Sequence, residues 1–465
     1  PMFSPAIWTR RTLALKRRII SLYEFQIPKN FNPYEFQELV KVFFSKDQFQ
    51  LVETREKISG QTRDSVKQQL YHQLTRLTGY FPPWGILTGV RPVKLAGELV
   101  RLLGKEEACS ILRNYYYVSP EKVSLLLETI QQQQEILKIE SEDVALYLGI
   151  PFCPTRCLYC SFPAYQVKEE EIQKYLYALK KEIQYVACAL KNNGKKVETI
   201  YIGGGTPTIL KEDQLKELLR LIQEQLHHET PQEFTLEAGR PDTITKEKLK
   251  IMKDFGVDRI SINPQTMKAE TLKRIGRNHT VEEVERAFEV SQTMGFLINA
   301  DVIAGLPEES TEDFMDTLRQ VKKLDPHNIT VHTLSVKRGS HLIEEDAEYH
   351  YKQRTTVENM LEKGAEYLKT KGYSPYYLYR QKQMVGALEN VGYSLPGCKG
   401  WYNIRIMEER QTVVALGAGG ISKAYYPKED RLERIPNVSN YEIYINRIDE
   451  MIDRKKKDLF MEGES

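Results

Sequence analysis

The chain has 465 residues, enough for two or three hydrophobic cores rather than one. Hydrophobic residues make up 41% and charged residues 28%, with a formal charge of +2, a globular composition without the basic excess or aromatic pattern of a nucleic-acid binder. No run of about 18 apolar residues occurs, so no membrane span is expected, and six cysteines are too few for a secreted disulfide framework, which points to a reducing, cytoplasmic setting.

Taken in chain order, the basic opening "PMFSPAIWTRRTLALKRRIISLYEF" lacks an apolar core followed by a small-residue cleavage site and reads as folded or frayed sequence rather than a signal peptide. Pro1 leaves the native start open. Residues 1–140 form an N-terminal accessory α/β block, with the loop "GYFPPWGILTGVRPVKLAGEL" entering a helix and a "QQQQ" run at 131–134 on a helix surface near the junction. From Val144 the pattern changes. Six β-rich runs, "VALYLGI", "VETIYIGGG", "FTLEAG", "DRISIN", "LINADVIAG" and "NITVHTL", alternate with amphipathic segments. The first of these segments, Glu169 to Asn192, places Ile172, Leu176, Leu179, Ile183, Val186 and Leu190 on one helical face. Alternating βα units imply a parallel sheet with crossover helices, either doubly wound or an incomplete (β/α) barrel, with its ligand site at the C-terminal strand ends. Residues 141–336 are this core; 337–465 are a C-terminal extension containing the tyrosine-rich "GYSPYYLYRQ" and the glycine cluster "ALGAGGISK".

The unusual residues gather at those strand ends. "LYLGIPFCPTRCLYCSFPAY" sets Cys153, Cys157 and Cys160 at C-x3-C-x2-C, able to face one point. A structural zinc ion takes four ligands, usually as two separated pairs, and a ferredoxin cluster takes four thiolates. No fourth cysteine is near: Cys109 and Cys188 fall in helical patterns and Cys398 lies in "PGCKGW". Three thiolates on a four-iron cube leave one iron open, the vacancy a catalytic centre keeps for substrate or cofactor. The competing readings are a zinc knuckle or a chance grouping. "YIGGGTPTIL" places Gly203, Gly204, Gly205 and Thr206 after the second strand, where glycines let the backbone approach a ligand or simply turn into a helix.

The cysteine spacing with Tyr159 before the last thiol, together with "GGGTPT", resembles the radical S-adenosylmethionine (SAM) superfamily and its oxygen-independent coproporphyrinogen III oxidase family. The resemblance implies an incomplete (β/α)6 barrel, a [4Fe-4S] cluster on Cys153, Cys157 and Cys160, and SAM bound at the open iron and cleaved to a 5′-deoxyadenosyl radical. In that resemblance Tyr147, Tyr159, Gly204, Gly205, Thr206, Glu237, Gln265, Arg277, Asp301 and Ser335 match SAM-contacting positions: Arg277 for the carboxylate, Glu237 for the amino end, Asp301 and Gln265 for the ribose. "GVRPVK", "YLYRQKQMVGALENVGY" and "YNIRIMEERQT" are similar to the coproporphyrinogen dehydrogenase subgroup of HemZ type. The implied reaction converts two propionates of coproporphyrinogen III to the vinyl groups of protoporphyrinogen IX, with an external low-potential electron donor and a tetrapyrrole as partners.

The chain departs from the family in two places: Gly149 stands where established oxidases carry His, and Phe162 where they carry a further Cys. A haem chaperone on the same core would carry "HNxxYW", which is missing here, "HNITVH" being nearest. An anaerobic haem-processing enzyme on the same scaffold is a third reading. A tetracarboxylate macrocycle needs bases and aromatic walls, for which Arg338, Arg380, Lys399, Arg405 and Trp401 are candidates, whereas "DRKKKD" at 453–458 reads as a solvated helix end.

Overall fold

The computed structural model describes residues 8–15, 18–53, 62–89, 91–137, 143–160, 162, 164–226, 231–335, 349–381 and 384–460. Arg338, with the rest of 336–348, lies outside them. The opening basic stretch is strand: β1 (Trp8–Leu15) pairs antiparallel with β2 (Arg18–Ile27), and β2 pairs parallel with β3 (Phe49–Glu53). Phe25, Ile27, Phe36, Leu39, Leu70 and Leu74 give this sheet and the helices Tyr34–Val40 and Arg63–Thr78 a core of their own. Ile86 joins it, whereas Trp84, Leu87, Val93, Leu112, Val123 and Leu126 belong to the main core.

The main core surrounds one sheet of 11 strands. Its centre is the six expected strands, β4 (Val144–Ile150), β5 (Val197–Gly204), β6 (Glu233–Glu237), β7 (Arg259–Gln265), β8 (Leu297–Ala304) and β9 (Asn328–Thr333), all parallel and in sequential order. Helices cross between them. The first, Glu169–Asn192, has the bounds its periodicity gives, with Ile172, Leu179, Ile183, Val186 and Leu190 buried.

The C-terminal part does more than extend this sheet at one side. β10 (Ser374–Tyr379) and β11 (Asn390–Ser394) continue it antiparallel beyond β9. At the opposite edge β12 (Val413–Leu416) runs parallel to β4, followed by β13 (Ile421–Tyr426) and β14 (Arg431–Pro436). Between these two sets the helix Trp401–Glu408 packs against both β5 and β10. Those strands are six places apart in the sheet order, so the sheet curls around the helix as an incomplete barrel.

Strand alternation then sorts the residues. Even-numbered positions such as Leu146, Leu148, Ile200, Ile202 and Phe234 are buried in the apolar core. The opposite face turns into the barrel and is polar, with Glu233, Thr235 and Glu237 on β6 and Asn299 and Asp301 on β8; on β9 the parity is reversed, Ile329 and Val331 entering the apolar core and Asn328, Thr330 and His332 the barrel. Two readings are corrected. Gln133, in the "QQQQ" run, is buried and donates to the Tyr376 carbonyl at 3.0 Å. Lys455, in "DRKKKD", is fully buried against Glu182 at 2.7 Å. Glu182 lies on the apolar face of its helix, where a lone carboxylate requires a partner, and Tyr444 and Asn437 complete its hydrogen bonds. Among the described residues no helix is long and apolar enough to cross a membrane.

Candidate active site

The cysteine loop leaves the C-terminal end of β4 and is pinned where it begins. Cys153 N donates to Tyr165 O at 3.1 Å and Tyr165 N to Pro151 O at 2.9 Å. Farther along, Leu158 N donates to Ile275 O (3.0 Å) and Thr155 Oγ1 to Gly276 O (3.3 Å), so the loop after β7 holds it from the other side. Cys157 is buried, and Cys153 and Cys160 are half-buried. Burial pushes the Cys153 thiol up to about 11 and raises that of Cys160; binding iron would displace those protons. Among the described residues no three thiols, imidazoles or carboxylates converge on a single metal-ion position. In a four-iron cube each thiolate binds its own iron, so three cluster ligands stand apart.

The glycine turn after β5 clasps this loop. Gly205 N donates to Ile150 O (2.8 Å), Thr206 N to Phe152 O (2.7 Å), and Thr206 Oγ1 lies 3.3 Å from Cys153 Sγ. Two positions require glycine. Gly204 has φ +109°, and a Cβ on Gly205 would fall 2.4 Å from the Phe152 carbonyl oxygen.

Two buried arginines approach the thiols. Arg277 donates to the carbonyls of Gly239 (3.1 Å) and Asn263 (2.7 Å) and to Tyr159 Oη (3.3 Å). Burial alone would lower its pKa, but Tyr159 and Cys157 beside it hold the guanidinium firmly charged. Arg240 forks Asp242 and reaches Thr155 Oγ1 at 2.8 Å. Near Arg277, its own Nε, Asn263 Oδ1, Gln265 Oε1 and both ring nitrogens of His279 are buried without a partner. Gln265 ends β7 with φ +68°, a left-handed conformation costing a non-glycine residue about 1–2 kcal/mol. Strain and unpaired polar atoms in one place are what a ligand site holds and a finished core does not.

Below this mouth, the barrel interior carries two carboxylates of opposite behaviour. Glu237 accepts Tyr201 Oη at 2.5 Å and Gly204 N at 3.2 Å. Desolvation dominates and raises its pKa to about 7. Asp301 is also desolvated, yet His332 (Nε2 to Oδ2, 3.4 Å) and Asn299 (2.7 Å) hold its carboxyl below the usual range. His332 Nδ1 in turn lies 3.4 Å from Tyr379 Oη. Tyrosines wall the space: Tyr147 stacks near Tyr201 (centroids 6.3 Å, 18°), which stacks on Tyr402 (4.5 Å, 22°). Tyr377 lies across Gly392, where any Cβ would sit 1.8 Å from its ring, to reach Thr330 Oγ1 at 3.1 Å.

The structure therefore places Tyr147, Tyr159, Gly204, Gly205, Thr206, Glu237, Gln265, Arg277 and Asp301 around the cysteine loop and the barrel mouth. Ser335 lies just beyond β9, in an isolated bridge with Met384. Tyr201, Arg240, His332 and Tyr379 join them without having been singled out; the alternation of β5, β9 and β10 would have put Tyr201, His332 and Tyr379 inside. The proposed substrate bases have partners within the fold, although Arg380 Nε is buried without one. Arg380 donates to the Leu87 and Ala387 carbonyls, Arg405 forks Glu198 at 2.9 and 2.8 Å, and Lys399 pairs with Glu135 at 3.3 Å. Trp401 opens the helix inside the barrel, its N–H held by Glu233 at 2.9 Å. Phe162 is 61% exposed. Gly149 faces the C-terminal glycine turn: a Cβ there would lie 3.3 Å from Ala418 O, and one on Gly417 would lie 2.5 Å from Gly149 O. The family's histidine position is thus taken by backbone from the C-terminal extension.

Comparison with known proteins identifies the family and the fold. Residues 147–321 match the radical SAM superfamily. Over 430 residues the chain is 40% identical to the oxygen-independent coproporphyrinogen-III oxidase-like protein HemZ of Bacillus subtilis (strain 168), covering 90% of this chain and 84% of that one. It is 37% identical over 193 residues to the heme chaperone HemW of the same organism, covering 41% of this chain and half of that protein. Among solved structures, coproporphyrinogen III oxidase (HemN) from Escherichia coli, a radical SAM enzyme, aligns with a TM-score of 0.54 at 22% identity over 69% of this chain and 72% of its own, a likeness of fold. The chain belongs to the radical SAM superfamily, which uses a [4Fe-4S] cluster and SAM, and within it to the oxygen-independent coproporphyrinogen III oxidase family of HemZ type.

Proposed function

We propose that this protein carries out the oxygen-independent oxidative decarboxylation of coproporphyrinogen III to protoporphyrinogen IX in cytoplasmic porphyrin and haem biosynthesis. The observation that carries the reading is the meeting of the cysteine loop, the glycine turn and the unpaired Arg277, Asn263 and Gln265 atoms above an acid-lined barrel. The residues fit both cofactors. Cys153, Cys157 and Cys160 offer three thiolates to a cube and leave its fourth iron open. The free Nε of Arg277 offers a donor to the SAM carboxylate, Glu237 an acceptor to its ammonium, and Gln265 and Asp301 acceptors to its ribose hydroxyls. Gly204, Gly205 and Thr206 present close backbone beside the methionyl group, Tyr147 and Tyr159 supply aromatic walls, and Ser335 lies at the rim.

When bound, the reduced cluster and SAM supply a 5′-deoxyadenosyl radical that takes hydrogen from substrate; the protein's part is to orient and to exclude water. The tyrosine stack and the helix Trp401–Glu408 close the barrel below. Residues 141–336 are then the catalytic core, 1–140 an accessory part, and 337–465 the part that covers the substrate. A low-potential electron donor is required from outside the chain.

Anaerobic turnover of the reconstituted, reduced protein with SAM and coproporphyrinogen III tests this, with 5′-deoxyadenosine and protoporphyrinogen assayed together. Both products are expected. Deoxyadenosine without a porphyrin product would overturn the substrate and favour another tetrapyrrole. The engagement of Arg380, Lys399 and Arg405 within the fold supports a second reading, haem carriage or anaerobic haem processing on the same core. Haem bound tightly without SAM cleavage would select carriage.

A further inference from the structure

Arg240 has no part in holding SAM in the reading above, yet its surroundings are specific. It follows β6 in "GRPD", is 3% exposed, and is fixed on every side. Nε and Nη2 grip Asp242 at 3.1 and 3.2 Å, Nη1 donates to Thr155 Oγ1 at 2.8 Å, and the same Nη1 lies 3.9 Å from Cys157 Sγ. The Arg240 carbonyl accepts Thr243 Oγ1 at 2.7 Å, closing the turn that carries it. A buried guanidinium is therefore aimed at one sulfur of the three.

We propose that Arg240 is a positioning residue for the cluster, donating to the sulfur of Cys157 and raising the cluster's reduction potential. The inference rests on the assignment of a [4Fe-4S] cluster to the three cysteines, but not on the tetrapyrrole. One-electron reduction adds a negative charge to the cluster, and a fixed cation in a water-poor site favours the more negative form. Hydrogen bonds to the sulfurs are among the main determinants of such potentials. Asp242 sets the size of the effect. Its carboxylate holds the guanidinium in place and partly cancels its charge, so Arg240 and Asp242 act on the potential with opposite signs.

The test is a redox titration of the anaerobically reconstituted full chain, without SAM or tetrapyrrole, following the electron paramagnetic resonance of the reduced cluster. Arg240→Gln should lower the ratio of reduced to oxidised cluster about tenfold at the wild-type midpoint, a shift of about 59 mV for one electron. Arg240→Lys should recover most of it, and Asp242→Asn should move the midpoint upward. Unchanged midpoints in Arg240→Gln and Asp242→Asn at full iron content would overturn the proposal. If Arg240→Gln loses iron, Asp242→Asn decides alone: an upward shift supports the proposal and an unmoved midpoint overturns it. Wild-type protein that assembles no cluster would sink the cluster assignment itself, and this inference with it.

Discussion

The two ends of the barrel hold the same kinds of side chain to opposite purposes. At the floor, where the strands begin, Arg259 pairs with Glu233 at 3.2 Å, donates to Asn328 Oδ1 and gives its remaining nitrogen to the carbonyls of Cys398 and Lys399. Glu233 also accepts the first two N–H groups of the helix Trp401–Glu408, at 2.9 and 3.3 Å, where its charge opposes the positive end of the helix dipole. Arg405 and the Gln411 amide N–H do the same for Glu198, while Gln411 Oε1 is left without a partner. At the mouth, where the strands end, Arg277 and its neighbours keep buried atoms unpaired and Gln265 keeps a strained backbone. Single unpaired atoms occur at the floor too, as at Asp258 Oδ1; what distinguishes the mouth is several of them gathered beside a strained backbone and the three thiols.

The sharpest break in that contrast is at the thiols. Replacing Cys153, Cys157 or Cys160 by Ala should abolish cluster assembly, read as bound iron and visible absorbance, while the apoprotein keeps its unfolding midpoint. A variant that retained both iron and SAM cleavage would contradict the assignment. Next comes the floor. Glu233→Ala strands Arg259 in the interior and uncaps a helix, so it should cost about 3–5 kcal/mol in chemical unfolding. A loss under about 1 kcal/mol would show that water or a neighbour can replace the carboxylate.

The two ends also differed in how much the sequence disclosed. The mouth was legible because each of its parts follows a strand locally: cysteines after β4, glycines after β5, Glu237 closing β6, Gln265 closing β7. Six β-rich runs alternating with amphipathic segments sufficed to put them at strand ends. The floor was not legible, since its pairs are made across long separations. Glu233 meets Trp401 across 168 positions and Glu198 meets Arg405 across 207; outside the barrel, Lys455 meets Glu182 across 273. A lysine within "DRKKKD" carries no local sign of burial; only Glu182, set on an apolar helix face, signals that a cation must come from elsewhere. The same distance effect hid the meeting of Gly149 with the 417–420 turn, since neither glycine predicts the other.

A smaller effect sharpens the comparison at Gln265. Gln265→Gly removes an unpaired buried oxygen and relieves a left-handed residue, so the apoprotein should be no less stable in urea. Affinity for SAM, measured by calorimetry under anaerobic conditions, should fall by about tenfold, the worth of one or two hydrogen bonds. Lower stability with unchanged affinity would make Gln265 part of the finished core.

Glu237 gives a predicted effect of similar size with the clearest sign. Its pKa is raised to about 7, so the carboxylate is about one-tenth ionised at pH 6 and nine-tenths ionised at pH 8. Asp301, held low by His332 and Asn299, stays ionised across that range. If Glu237 meets the SAM ammonium, affinity should strengthen roughly tenfold from pH 6 to pH 8, and Glu237→Gln should flatten the profile. Apoprotein stability runs the other way. A carboxyl with a higher pKa folded than unfolded binds more protons in the native state, so its contribution is full below about 4.5 and is lost as pH rises through about 7. The ionised form that serves the ligand is the one the empty fold disfavours, which is the relation expected of the mouth and the reverse of the floor. Affinity and apoprotein stability rising together with pH, both unaffected by Glu237→Gln, would place the titrating group elsewhere.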